Sequence, residues 1–203
     1  SSPDSVRAIA YTNRQVQKIN GIVREAIQGK GADRFVVGER LIARNHFAME
    51  DIYGNDQKVF ATADEMEITG ARQGTANGYK VWMLTVQIFE DNRQPVAVPV
   101  LHESAVAEFE AKLKEYKTSK QWVNFWDLKN RFADLRYAYC ITSHQAQGST
   151  FENVFVDVPN ILGNNTKNMV QFPGTDKPQL VWERNQLLYV ACSRASKRLF
   201  VPE

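Results

Sequence analysis

Residues 137–158, YAYCITSHQAQGSTFENVFVDV, constrain this chain more than any other stretch. Two apolar runs, 137–142 and 153–158, flank a polar loop that carries His144, Gln145, Gln147 and Gly148. Short apolar strands of this kind belong to the parallel sheets of α/β proteins. The loops at the ends of such strands present backbone amides and side chains to anions. The remaining residues must either pack around this strand–loop–strand or be inserted ahead of it.

The chain has 203 residues, 43% hydrophobic and 24% charged, which suffices for one large domain or two small ones. A net charge of +2 neither demands nor excludes nucleic acid, because a local patch matters more than the total. Cys140 and Cys192 both stand in apolar surroundings, so two buried free thiols are expected rather than a disulfide or a metal site. That fits a reducing, intracellular setting. There is no apolar run long enough to span a bilayer and no signal peptide. The opening SSPDS reads as a turn, and the abrupt ends suggest a piece of a longer protein.

Residues 6–11 form a short strand. Thr12 with Gln15 has the capping-box spacing, and Val16, Ile19, Ile22, Val23, Ala26 and Ile27 recur at helical spacing up to Gly29. Thr12, Asn13 and Arg14 therefore sit at the C-terminal end of a strand, where open α/β sheets bind ligands. Thr12 has a second reading, as the helix cap alone. From 36 to 101 the pattern turns to short β-rich runs separated by turn signals such as Tyr53-Gly54-Asn55-Asp56 and Asn77-Gly78, which predicts a small barrel or a bent sheet. Two helices follow over 102–130. The first has a solvated face of mixed charge, and the aromatics of the second, Trp122, Phe125 and Trp126, are expected in the core. Residues 160–181 read as a long surface loop, then come a helix over 182–192 and a last strand over 198–201. Strands at 6–11, 137–142, 153–158 and 198–201 with helices between them predict a mainly parallel sheet. The β-rich module is then an insertion between its first two strands.

In TSHQAQGST, Thr142 and Ser143 are suited to cap a short helix, and Gly148 removes a side chain where backbone must approach closely. His144 and Gln147 can hydrogen-bond an oxyanion. No carboxylate stands nearby in sequence to complete a Ser/His triad, so hydrolase chemistry of that kind is disfavoured. Arg194 follows an apolar helix. It reads either as a cation favoured at a helix C-terminus or as a guanidinium aimed at a transferring phosphate. No GxxxxGK[ST] phosphate loop occurs in the 203 residues, and no strand ends in an Asp-Glu pair. Alone, the chain would supply only half of an ATP site.

With these residues in view, the chain resembles the C-terminal motor half of superfamily 1 DNA helicases, in the 5′→3′ branch of RecD and Dda. AIAYTNRQVQKIN resembles motif IV of that family, ITSHQAQGSTFENVFVDV motif V, and LLYVACSRASKRLFV motif VI. The resemblance covers nearly the whole chain. It implies an α/β fold: a RecA-like, mainly parallel sheet (domain 2A; 1–35 and 131–203) with an inserted SH3-like β-barrel module (domain 2B; 36–101) and a helical segment (102–130). It implies Arg194 as the catalytic arginine finger, Gly148 and Thr150 near the nucleotide, and Thr12, Asn13, Thr142 and His144 at the DNA. Tyr11, Gln147 and Thr150 depart from relatives that carry an arginine, a lysine and an acidic residue there. The implied cofactors are ATP and Mg²⁺, held mainly by a missing N-terminal RecA-like domain. The implied partner is single-stranded DNA, and the implied setting is a monomer in the cytoplasm of a bacterial or phage-infected cell. Two other readings stay open. One is a non-catalytic module that binds single strands through β-module aromatics such as Trp82. The other is an interaction platform formed by 102–130.

Overall fold

The computed structural model describes residues 6–50, 56–89, 94–174 and 176–201. The opening turn and the turn at 53–55 expected from sequence lie outside these residues. The chain divides into two compact units: 1–30 with 138–203, and 31–137 between them.

In chain order, β1 (Val6–Ala10) and α1 (Asn13–Gln28) precede the inserted unit. That unit holds β2 (Arg40–Ala43), β3 (Phe47–Glu50), β4 (Asp56–Phe60), β5 (Glu65–Ala76), β6 (Tyr79–Ile88) and β7 (Val96–Leu101). A 3-10 turn at Glu103–Ala105, α2 (Val106–Thr118), α3 (Trp122–Asn130) and β8 (Leu135–Tyr137) complete it. The chain then forms β9 (Cys140–Thr142), β10 (Phe151–Val156), α4 (Val158–Leu162), β11 (Lys167–Val170), β12 (Gln179–Trp182), α5 (Glu183–Cys192) and β13 (Ala195–Phe200).

The discontinuous unit is organised on a four-stranded sheet of order β13-β10-β1-β9, parallel throughout. Its first strand pairs Val6 with Asn153 on one side and Ala10 with Thr142 on the other. α1 packs on β1 and β9 around Ala10, Val16 and Cys140. Only the first half of α1 is well seated: Ile22 and Ile27, expected on its buried face, are 58% and 60% exposed. The buried Asn20 donates from Nδ2 to the Cys140 carbonyl at 3.0 Å and accepts from the Cys140 N–H at 2.8 Å.

The inserted unit is antiparallel, a five-stranded sheet of order β7-β6-β5-β2-β8 plus the β3-β4 ribbon. Leu41, Met66, Ile68, Leu84, Val86 and Val98 form one core with Phe47 and Phe60 of the ribbon. Tyr79, Phe109 and Phe132 meet edge to face, which fixes α2 to β6.

Three expectations are corrected. The single strand expected over 137–142 is two strands. Leu135 and Tyr137 pack in the inserted core and pair with β2, whereas Cys140 and Ile141 are buried in the parallel sheet, so the chain bends at 138–139 between two cores. The surface loop expected over 160–181 contains the end of α4 and the β11-β12 ribbon. Asp157 caps α4 by accepting from Asn160 N, and Lys167 and Arg184 stack on Trp182 at 4.1 and 4.4 Å. Trp122 and Trp126 are not core but half exposed.

Candidate functional site

Because β1, β9 and β10 are parallel, the loops that follow them gather at one edge of the sheet. The loops that precede β10 and β13 lie at the other. The residues singled out from sequence divide between these two edges.

At the C-terminal edge, Thr12 is the N-cap of α1, and its hydroxyl accepts from Gln15 N at 3.3 Å. The expected capping box forms only in half. Gln15 Nε2 donates to Asp157 Oδ2 at 2.6 Å, and the backbone N–H groups of Tyr11 and Thr12 are taken by Asn160 Oδ1 at 2.8 and 3.0 Å. Asn160 Nδ2 donates to the Thr12 hydroxyl at 3.3 Å. Asn13 is the first, exposed residue of α1. A cleft of about 510 Å³ opens here, lined by Thr12, Arg14, Gln15, Lys18 and Asn160. α1 has no acidic residue in its first turn, so Arg14 adds positive charge to an already positive helix end.

The loop after β9 starts at the same edge. Thr142 and Gln145 form a full capping box. Gln145 N donates to Thr142 Oγ1, and Gln145 Oε1 accepts from Thr142 N and Oγ1, each at 3.2 Å. Thr142 is 7% exposed and both roles of its hydroxyl are used within this turn. Gln145 is thus the partner of Thr142. His144 is exposed, with Nε2 at 3.6 Å from Glu183 Oε1 and its ring 6.4 Å from that of Tyr11.

The loop ends at the opposite edge, about 20 Å away by strand rise from the level of Thr142 to that of Phe151. Gly148 has φ +90°, a conformation that side chains disfavour, yet an added Cβ there would meet no atom within 4 Å. Its glycine is therefore required by backbone conformation, not by the close approach expected from sequence. Arg194 joins this end of the loop to α5. Its Nη1 donates to the Ser149 carbonyl at 3.2 Å, its Nε to the Val190 carbonyl at 3.1 Å, and its Nη2 to Ser193 Oγ at 2.8 Å. Arg194 also accepts at its carbonyl from Phe151 N at 2.9 Å. Of the five guanidinium N–H groups, two remain for an external acceptor. Thr150 is exposed beside them. These donors suit an anion. Among the described residues, no group of His, Cys, Asp and Glu could hold a metal ion.

Asn160, Asp157 and Asn20 escape sequence reading, because their partners lie more than a hundred residues away. Arg14 and Lys18 were legible as cations on α1, but only the cleft shows which side they line. Burial disfavours the thiolate of both cysteines. Burial pushes the Cys140 thiol up to about 12, with Asp157 adding to the rise, and burial also raises the half-buried Cys192. In the inserted unit Trp82 is 5% exposed and stacked on His102 at 5.6 Å, so its ring offers no open face for a base. No helix among the described residues is long and apolar enough to cross a membrane.

No family model matches the chain. It is 27% identical over 180 residues to the ATP-dependent DNA helicase dda of Enterobacteria phage T4, covering 76% of this chain and 40% of that relative. It is 30% identical over 97 residues to an uncharacterized protein of Acanthamoeba polyphaga mimivirus, covering 45% of this chain and 17% of the other. In fold it is similar to the Pif1 helicase from Candida albicans, with a TM-score of 0.51 at 12% identity, over 98% of this chain and 45% of that one. The chain thus spans less than half the length of these relatives, and the parallel-sheet unit fits a RecA-like α/β fold.

Proposed function

We propose a function on one premise: the chain is a relative of the superfamily 1 DNA helicases of the 5′→3′ Dda branch and matches part of one. In this reading it is the second motor domain, with 36–101 as an inserted SH3-like module, of an ATP-dependent helicase that moves along single-stranded DNA. The phosphate loop and the Mg²⁺ ligands come from another part of the polypeptide, so this chain alone has no ATPase activity. Mg²⁺ neutralises charge on the phosphates when bound; the residues here act on the phosphate and on DNA.

One observation carries the reading. A single loop, 143–150, begins beside the residues expected at DNA and ends bonded to Arg194, the residue expected at the γ-phosphate. Asn13, His144 and the cleft cations Arg14 and Lys18 meet the strand's phosphates. Thr12 and Thr142 position those groups through their caps. Arg194 keeps two N–H donors for the γ-phosphate while the Ser149 and Val190 carbonyls hold its plane. Gly148 and Thr150 sit beside it. Domain closure on ATP would then pull on the loop through Ser149, and the loop would pass that movement to the DNA end.

The test is Arg194→Ala in the full polypeptide. DNA-stimulated ATP hydrolysis should fall by about 10³-fold or more, with affinity for single-stranded DNA retained. Turnover at the parent rate would reject the assignment.

A further inference from the structure

The α2–α3 hairpin carries an exposed aromatic group that the reading above leaves unused. Trp122 and Trp126 are 50% and 52% exposed and Val123 is 83% exposed. Trp122, Phe125 and Trp126 meet edge to face at 6.0 and 5.2 Å, which stiffens the two indoles against α3. Trp126 has the Lys129 ammonium 4.6 Å from its ring centre. Trp122 has no cation over it among the described residues.

Charge is segregated along the same hairpin. Glu108 and Glu110 lie toward the start of α2. Lys114, Lys117 and Lys120 lie toward the turn, all exposed and without an ion pair among the described residues, while Glu115 is taken by Lys112 at 2.9 Å. The helix dipole accounts for Lys117 at the end of α2. It does not account for Lys120, which sits outside the helix at φ +57°. Glycine or asparagine takes that conformation at less cost. Strain of this kind directs attention to what the residue presents, and Lys120 presents an ammonium two residues before Trp122.

We infer that the hairpin tip is a contact for single-stranded nucleic acid, with Trp122 as a stacking platform for a base and Lys114, Lys117 and Lys120 as phosphate contacts. The apolar side chains there are interleaved with Gln121, Asn124 and the lysines. Those polar residues give this surface the hydrogen-bond donors and positive charge that a nucleic-acid backbone recruits. A stiff indole flanked by cations matches what sequence-tolerant single-strand binders use. The surface stands on its own, in a different unit from the loop 143–150.

The test uses this chain and a labelled oligothymidylate of about 15 nucleotides, followed by anisotropy and tryptophan fluorescence. Trp122→Ala should weaken binding about tenfold and remove most of the fluorescence quenching, whereas Trp122→Phe should stay within about twofold. Replacing Lys114 and Lys117 by Ala and Lys120 by Gly should lower the slope of log affinity against log salt by about 2. An abasic oligomer should lose the dependence on Trp122 and keep that on salt. His144→Ala serves as the control for the other unit: a loss there with Trp122 quenching intact touches only the helicase reading. Unchanged affinity and quenching in Trp122→Ala would overturn the inference. So would a dimer of this chain, seen by sedimentation, that Trp122→Ala dissociates while DNA affinity stays constant.

Discussion

Trp82 and Trp122 belong to the same unit and differ in almost every respect. Trp82 lies on β6, a strand paired on both sides, where its ring meets Phe35 and stacks on His102. Its Nε1 donates to Glu103 Oε2 at 3.0 Å, and Arg34 reaches the same oxygen at 3.2 Å. His102 Nδ1 in turn accepts from Ser104 N at 3.1 Å. The Trp82 N–H, Glu103 Oε2 and His102 Nδ1 are all spent on their neighbours. Around Trp122 the aromatic faces and the lysines are left over. The contrast teaches that a polar or aromatic residue is informative about function only after its internal partners are counted. The same rule separates Thr142, used up by Gln145, from Arg194, which retains two donors.

The largest effect expected from this contrast is on stability. Trp82→Ala should destabilise the chain by about 3–5 kcal/mol, read from urea unfolding, whereas Trp122→Ala should cost about 1 kcal/mol or less. Equal losses would break the comparison. Next comes the cap of α1: Thr12→Ala should cost about 1 kcal/mol and Thr12→Ser little, by the same measurement. A smaller gain, of about 1 kcal/mol or less, is expected for Lys120→Gly, which relieves a positive φ on a non-glycine residue. The smallest effect is a pH dependence. Burial alone would raise the Glu103 carboxyl, but hydrogen bonds from its own backbone, from Trp82 and from Arg34, with the Arg34 charge, hold it below its ordinary value. A carboxyl lowered in the folded state stabilises above its unfolded value of about 4.3. That contribution fades as pH falls below about 4.3 and through the lower folded value. Glu103→Gln should flatten this part of an acid unfolding curve and leave the neutral range with only a modest loss.

The fold was legible where the signal is local. The strand and capped helix of 6–28, the β-rich texture after 36 and the strand–loop–strand all follow from periodicity and turn residues within short windows. Division of 135–142 between two sheets was not legible, because Leu135 and Ile141 are equally apolar and only their partners differ. The aromatics of α3 show why helical spacing alone misleads: it says which side chains share a face, not whether anything covers that face. At the candidate site the loop residues were legible as types. Their roles were not, since Asn160 reaches Tyr11 and Thr12 across 149 and 148 positions.

Asn20 has a consequence beyond its two hydrogen bonds. β9 is an outer strand of the parallel sheet; the outward N–H of Thr142 is held by Gln145, while Asn20 takes the outward N–H and C=O of Cys140. A side-chain amide that satisfies both does for one residue what a further strand would do for many. The open margin of the sheet is thereby closed to another chain from within. At the opposite margin β13 uses a different guard, Lys197 and Arg198, each tied across to β10 at 2.7 Å. Loss of the Asn20 amide should therefore show itself in light scattering, as concentration-dependent association.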